Sequence, residues 1–158
     1  MFQIIRGVPS TVETKPSYLS VTTITSTFKV NTEIDVQDLK QKMKENPFTI
    51  KKKGGSSVLV WSIKENKFFN QITAEYIDEF SKKSIKFFPN GSIHVTGCSD
   101  LVDCHRVMNQ VKFCIKHYTK KEVSCHDFKV LMINANFTMN HMLNLGTVST
   151  RAETMGCT

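Results

Sequence analysis

One stretch limits the fold more than any other: Leu101, Cys104, Met108, Val111, Ile115 and Tyr118 are spaced 3-4-3-4-3. That step is the helical period, so the spacing predicts a helix over 100–118 with a single apolar stripe. Asp100 supplies a capping oxygen, and Asp103 places a carboxylate in the first turn, where the helix dipole favours it. A helix that is apolar on one side only must lie on something, and the residues just before it supply a sheet. Ser84–Phe88 and Ser92–Thr96 flank Pro89-Asn90-Gly91, a tight-turn sequence, and so read as a hairpin. Within it, alternation sends Ile85, Phe87, Ile93 and Val95 toward the helix, and Lys86, Phe88, Ser92, His94 and Thr96 away from it.

The remaining elements follow from the same two periods. Residues 1–17 hold Gly7, Pro9 and Pro16 without a sustained period and read as an extended N-terminal arm. Tyr18–Val30 is dense in β-branched residues and alternates, with Ile24 and Phe28 on one face and Thr23, Thr25 and Thr27 on the other. Asp35 caps a short helix whose Val36, Leu39 and Met43 step by three and four, and Asn46-Pro47 ends it. Val58–Ile63 reads as a second strand. Residues 66–83 read as an inserted, partly helical excursion, because Ile72, Tyr76, Ile77 and Phe80 stand at helical spacing. A last strand spans Asp127–Met139, and 140–158 lacks a period and reads as irregular. Strands gathered between two helices predict an α+β fold, an antiparallel sheet with helices packed on one face. The other face is left for solvent, a second chain or a ligand.

Composition bounds the function. The chain has 158 residues, about one domain, and 40% of them are hydrophobic, enough for one core. No apolar run can span a bilayer, and Met1–Gly7 lacks the charged start and long apolar stretch of a signal peptide, so a soluble, intracellular domain is expected without a membrane partner. A net charge of +7 favours a polyanionic partner. The five cysteines, Cys98, Cys104, Cys114, Cys125 and Cys157, form no C-x-x-C pair and read as free thiols of a reducing compartment. Cys104-His105, Cys114-x-x-His117 and Cys125-His126 do not make a zinc site, since neighbours on a helix point about 100° apart. Lys51-Lys52-Lys53-Gly54-Gly55 has neither the glycine spacing nor the Lys-Ser/Thr ending of a phosphate loop and reads as a solvated basic turn. His94 has no nearby nucleophile or carboxylate pattern, and no paired carboxylates or triad appear. No metal, cofactor or enzymatic activity is expected.

The run Ser84–Cys98 (SIKFFPNGSIHVTGC), followed at once by a long helix, resembles the hairpin of one repeat of the TATA-box-binding protein family. Ile34-Asp35-Val36 matches the family's first helix start, and Asp127-Phe128-Lys129-Val130 looks like the opening of its second repeat. The wording of the hairpin, with Met132-Ile133-Asn134 downstream, is similar to the divergent TATA-binding-like proteins of large nucleocytoplasmic DNA viruses. The resemblance implies a half-saddle: one repeat over 18–122, with 66–83 inserted, and the first strand of a second repeat within 123–158. A whole saddle has two repeats and lays its concave sheet face on the minor groove, wedging phenylalanines into base steps. By that resemblance the chain is a fragment, has lost its second half, or receives it from another chain by dimerisation.

Mapped onto this sequence, Phe88 falls on a wedge phenylalanine and Thr96 on a groove-facing threonine. The family's first-strand asparagine and groove valine fall at Thr23 and Thr25, with Thr27 next on that face. Lys86 and His94 take aliphatic positions, Trp61 takes that of a phosphate-binding arginine, and the second wedge falls near Gly55. Phe88, Trp61 and Leu59 are expected together on the open face. Such a face is more polar than A·T minor-groove readout requires, so general DNA contact is expected, with Lys86 on phosphate. The implied function is a viral transcription initiation factor that binds double-stranded DNA and the transcription machinery. It would act in the nucleus or a viral factory, with packaging in the virion a further expectation. The alternative is a non-enzymatic structural or assembly protein of a virus particle that uses the half-saddle as a scaffold for other protein subunits.

Overall fold

A computed structural model describes residues 19–51, 57–65, 67–78, 82–139 and 142–156. The chain divides into two compact units, and the larger one, Val21–Ala135, carries the sheet. In chain order the elements are β1 (Ser20–Val30), α1 (Val36–Glu45), β2 (Thr49–Lys51), β3 (Ser57–Leu59), β4 (Trp61–Lys64), β5 (Ile72–Ile77), β6 (Lys82–Phe87), β7 (Ser92–Cys98), α2 (Leu101–Thr119), β8 (Cys125–Asn136) and α3 (Leu145–Thr154). The fold is α+β: a six-stranded antiparallel sheet in the order β4-β5-β6-β7-β1-β8, a separate β2–β3 ladder, and three helices among the described residues. None of these helices is long and apolar enough to cross a membrane.

Alternation builds the core. Ile24, Phe28 and Val30 of β1, Ile72, Ala74 and Tyr76 of β5, Ile85 and Phe87 of β6, and Ile93 and Val95 of β7 are all buried in one cluster. Val36, Leu39 and Met43 of α1 and Cys104, Val107, Val111, Cys114 and Ile115 of α2 close the same cluster from the helix side. Asp35 accepts hydrogen bonds from the Gln37 and Asp38 amides (3.1 and 3.0 Å), and Asp100 accepts from the Asp103 amide (2.7 Å), so both caps lie where the sequence puts them. The Tyr118 hydroxyl donates to the Asn46 carbonyl (2.7 Å) and ties the end of α2 to the end of α1.

Four expectations change. The apolar face of α2 is turned by about one position, with Val107 and Cys114 fully buried, Met108 half-buried and Leu101 exposed, because 104, 107, 111, 114 and 118 form an equally regular stripe. Residues 72–77 are strand, not helix: β5 lies between β4 and β6. Ile72 and Tyr76 are four apart, and four residues return to the same face in a strand as well as in a helix. The expected single strand over 58–63 is broken at Val60, whose amide donates to the Phe48 carbonyl and whose carbonyl accepts from the Ile77 amide, both at 2.9 Å. The chain thereby passes from the β2–β3 ladder to the main sheet. The expected irregular stretch 140–158 contains α3, capped by Asn144, which accepts from the Thr147 amide (3.1 Å) and has no buried residue to give it an apolar period. The expected arm 1–17, Lys52, Lys53, Gly54, Gly55, Phe80 and Cys157 lie outside the described residues.

Candidate nucleic-acid interface

The face of the sheet opposite the helices is assembled by the β1–β7–β6 register. Thr25 stands opposite Thr96 and Thr27 opposite His94, and on the other side of β7, His94 stands opposite Lys86 and Thr96 opposite Ser84. The Thr25 hydroxyl donates to the Thr96 hydroxyl (3.3 Å), and the Thr27 hydroxyl to the Ile93 carbonyl (2.9 Å), which fixes the threonine rotamers across the strands. Thr23 continues the same row of β1 and is half-buried. Gly97 allows this register: it is the extra residue where the β1–β7 pairing shifts between Ile24 and Thr25, and its φ of +112° suits glycine. The shift returns Cys98 to the buried side. Burial, and the Cys104 thiol beside it, push the Cys98 thiol up to about 12, so it is a packed group rather than a nucleophile.

Phe88 is positioned by the turn that follows β6. Its amide donates to the Ser92 carbonyl (3.0 Å), the Gly91 amide donates to its carbonyl (3.1 Å), and the Asn90 side chain accepts from the Ser92 amide (3.0 Å). The turn is also tied back to the neighbouring chain, with the Val30 amide on the Gly91 carbonyl and the Ile34 amide on the Pro89 carbonyl, both at 2.9 Å. Held in this way, the half-buried Phe88 ring lies 4.9 Å from the His94 ring. Thr23, Thr25, Thr27, Lys86, Phe88, His94 and Thr96 therefore share the face opposite the helices.

Trp61 does not join them. It stands opposite Tyr76 in the β4–β5 ladder, is 4% exposed, and packs 4.9 Å from the Tyr76 ring and 6.2 Å from the Phe87 ring. The break at Val60 resets the alternation, and the largest apolar side chain gains most from the core. The Leu59 backbone pairs with Thr49 in the β2–β3 ladder, and its side chain lies outside the described residues. Of the expected apolar trio, Phe88 is on the open face and Trp61 is in the core.

The face also carries charges that the sequence reading passed over. Lys29, Lys64 and Lys82 fall on it by alternation beside Lys86, and the one carboxylate of β1 and β4–β7 on this side is Glu75. Lys64 and Lys82 both pair with Glu75, the latter at 2.7 Å. Hydrogen bonds from Lys64 first, then Lys82, hold its carboxyl below the usual range. The face is accordingly hydroxyl-rich and cationic. Stepping back by twos from Lys86 to Lys82, and forward from Thr27 to Lys29, would have found two of these lysines.

On the helix side the sequence reading missed a buried ion network. Lys83 of β6, its side chain fully buried, pairs with Asp103 at 2.8 Å. Arg106 bridges Asp103 and Asp78. Burial works against the Asp103 charge, but hydrogen bonds from Lys83, the Ser99 amide and Arg106 outweigh it and hold the carboxyl below its usual range. Among the described residues no three His, Cys, Asp or Glu side chains are grouped to hold a metal ion. No protein-family model matches this chain, and no curated protein does.

Proposed function

We propose that the open sheet face binds double-stranded DNA, and that the chain acts in transcription initiation as a TATA-binding-like factor with a half-saddle fold. One observation carries the reading. The sheet gathers hydroxyls, His94, Phe88 and four lysines onto the face opposite the helices, where the one carboxylate of β1 and β4–β7, Glu75, is already paired with two of those lysines. A sheet of this kind suits phosphate contacts from its lysines and groove contacts from its threonines, with affinity rising as counterions are released. The placement of β8 beside β1 supports the half-saddle: the strand that the resemblance assigns to a second repeat extends the same sheet.

Because the second wedge position falls near Gly55 rather than on a phenylalanine, the wedge role falls on Phe88 alone, and bending is expected to be modest. The test is a labelled duplex titrated at several salt concentrations, with end-to-end energy transfer as the bending readout. Wild-type affinity should fall linearly on a log–log salt plot, and Lys86→Ala should reduce that slope by about 1. Phe88→Ala should keep most of the affinity and lose the bend. Binding that is absent, or insensitive to salt, would remove the DNA reading. The assembly-protein reading draws support from the exposed apolar run Val130–Ile133. It would be favoured by a stoichiometric place in a particle or complex that holds no DNA.

A further inference from the structure

We infer that β8 is a self-pairing edge, and that two copies of this chain join their sheets antiparallel through it about a two-fold axis. The inference does not depend on DNA binding. The main sheet ends at β8, a 12-residue strand with no neighbour on its outer side among the described residues. At about 3.3 Å per residue, that is roughly 40 Å of edge whose outward amides and carbonyls have no strand partner among the described residues. Along its middle, Val130, Leu131, Met132 and Ile133 are 37, 54, 49 and 57% exposed. Successive side chains of a strand point to opposite faces, so four exposed apolar residues in a row leave both faces of the edge uncovered.

The opposite edge is protected. β4 has four residues and carries Lys64, already paired to Glu75 across β5. Short, charged edges of that kind discourage further pairing.

A second copy is the occupant that fits β8. In a two-fold antiparallel ladder, paired positions share parity and therefore face. Centred on Leu131, the ladder sets Leu131 against the second copy's Leu131 and Val130 against its Met132. Lys129 then faces Ile133 of the other copy, and Asp127 faces its Ala135. Val130, Leu131 and Met132 lie on the same three residues of the other copy, Ile133 lies along the Lys129 side chain, and no like charges are opposed. The chain's +7 charge does not act here, because β8 carries one lysine and one aspartate. Pairing β8 with β4 of another copy would instead leave free edges and propagate, whereas the two-fold pairing closes.

The test uses the full chain without DNA. Sedimentation velocity across a concentration series should show a monomer–dimer equilibrium for wild type. Leu131→Lys opposes like charges at the axis and should raise the dimer dissociation constant on the order of a hundredfold, with unchanged far-ultraviolet dichroism. Met132→Lys serves as the second variant if that one does not fold. Leu131→Cys, in a background with Cys125→Ser and Cys157→Ser, should form an interchain disulfide under mild oxidation. A wild type that stays monomeric at every concentration overturns the inference. So does a dimer that survives both lysine variants, or one that fails to cross-link at 131.

Discussion

Removing either partner of the buried Lys83–Asp103 pair should destabilise the domain, and by unequal amounts. Lys83→Met replaces a fully buried ammonium with an apolar chain of similar length, leaving an 8% exposed Asp103 that still receives Arg106 and the Ser99 amide at 3.0 Å. Asp103→Ala leaves the Lys83 ammonium, on the sheet's core side, without its carboxylate. Breaking a buried pair costs about 3–5 kcal/mol, and Asp103→Ala also removes the acceptor of Arg106 and of the Ser99 amide. The Arg106 side chain is 31% exposed and screens only part of what Asp103 loses, so about 2 kcal/mol is expected for Lys83→Met and about 4 kcal/mol for Asp103→Ala. For a chain of this size each kcal/mol is worth about 2–4 °C in Tm. Urea unfolding followed by far-ultraviolet dichroism gives both values, and the double variant Lys83→Met/Asp103→Leu should recover most of the loss. The pH dependence has a fixed sign. Because the folded Asp103 carboxyl lies below its usual range, its contribution is complete above about pH 4 and is lost as pH falls through the folded value. Equal costs for the two single variants, or no recovery in the double, would refute the claim that the buried lysine depends on this carboxylate. The pair also matters to the open face, because it fastens α2 behind β6, the strand that presents Lys86 and leads into Phe88.

Trp61 is the chain's single tryptophan and is buried, so its emission should be resistant to iodide quenching and unshifted by added duplex. An emission change on DNA binding with the fold intact would return Trp61 to the open face. Ser26 is 1% exposed and its hydroxyl has no hydrogen-bond partner among the described residues, so Ser26→Ala should raise stability by about 1 kcal/mol in a urea titration; a loss would mean that the hydroxyl is satisfied. At Gly91, φ is +78° and an added Cβ would lie 2.7 Å from the Thr32 carbonyl oxygen and 2.8 Å from that of Val30. Gly91→Ala should therefore cost more than about 1 kcal/mol in a thermal melt and loosen Phe88, which the same turn positions.

The sequence made the sheet's buried face legible wherever alternation ran unbroken. In β1, β6 and β7 the core-facing positions are mostly aliphatic or aromatic, with Ser26 and Lys83 the exceptions, and Ile24, Phe28, Ile85, Phe87, Ile93 and Val95 are all buried as that pattern requires. The caps Asp35 and Asp100 were equally readable, because a capping carboxylate acts on amides two or three residues away. The pattern misleads where the deciding contacts are not local. β5 holds the ambiguous four-residue spacing of Ile72 and Tyr76, and only its neighbours β4 and β6 decide between the two periods. The bend at Val60 is set by Phe48 and Ile77, which are far from it in sequence, and nothing in Val58–Ile63 announces it.

The open face shows the same division. Its threonines, Lys86 and His94 follow from parity, since fixing the buried side of a strand fixes the other side as well. Parity says which way a side chain points but not what stands beside it. The pairing of Glu75 with Lys64 and Lys82 joins residues of three different strands, and it turns a lone acidic position into a neutral one on a cationic surface. Lys83 gives the opposite lesson. One position from Lys82 and Ser84, it alternates to the core side, where α2 brings Asp103 to meet it. A charge in a strand can therefore be assigned to surface or core only once the element packed on that strand is known. Here that element is the helix whose spacing first limited the fold.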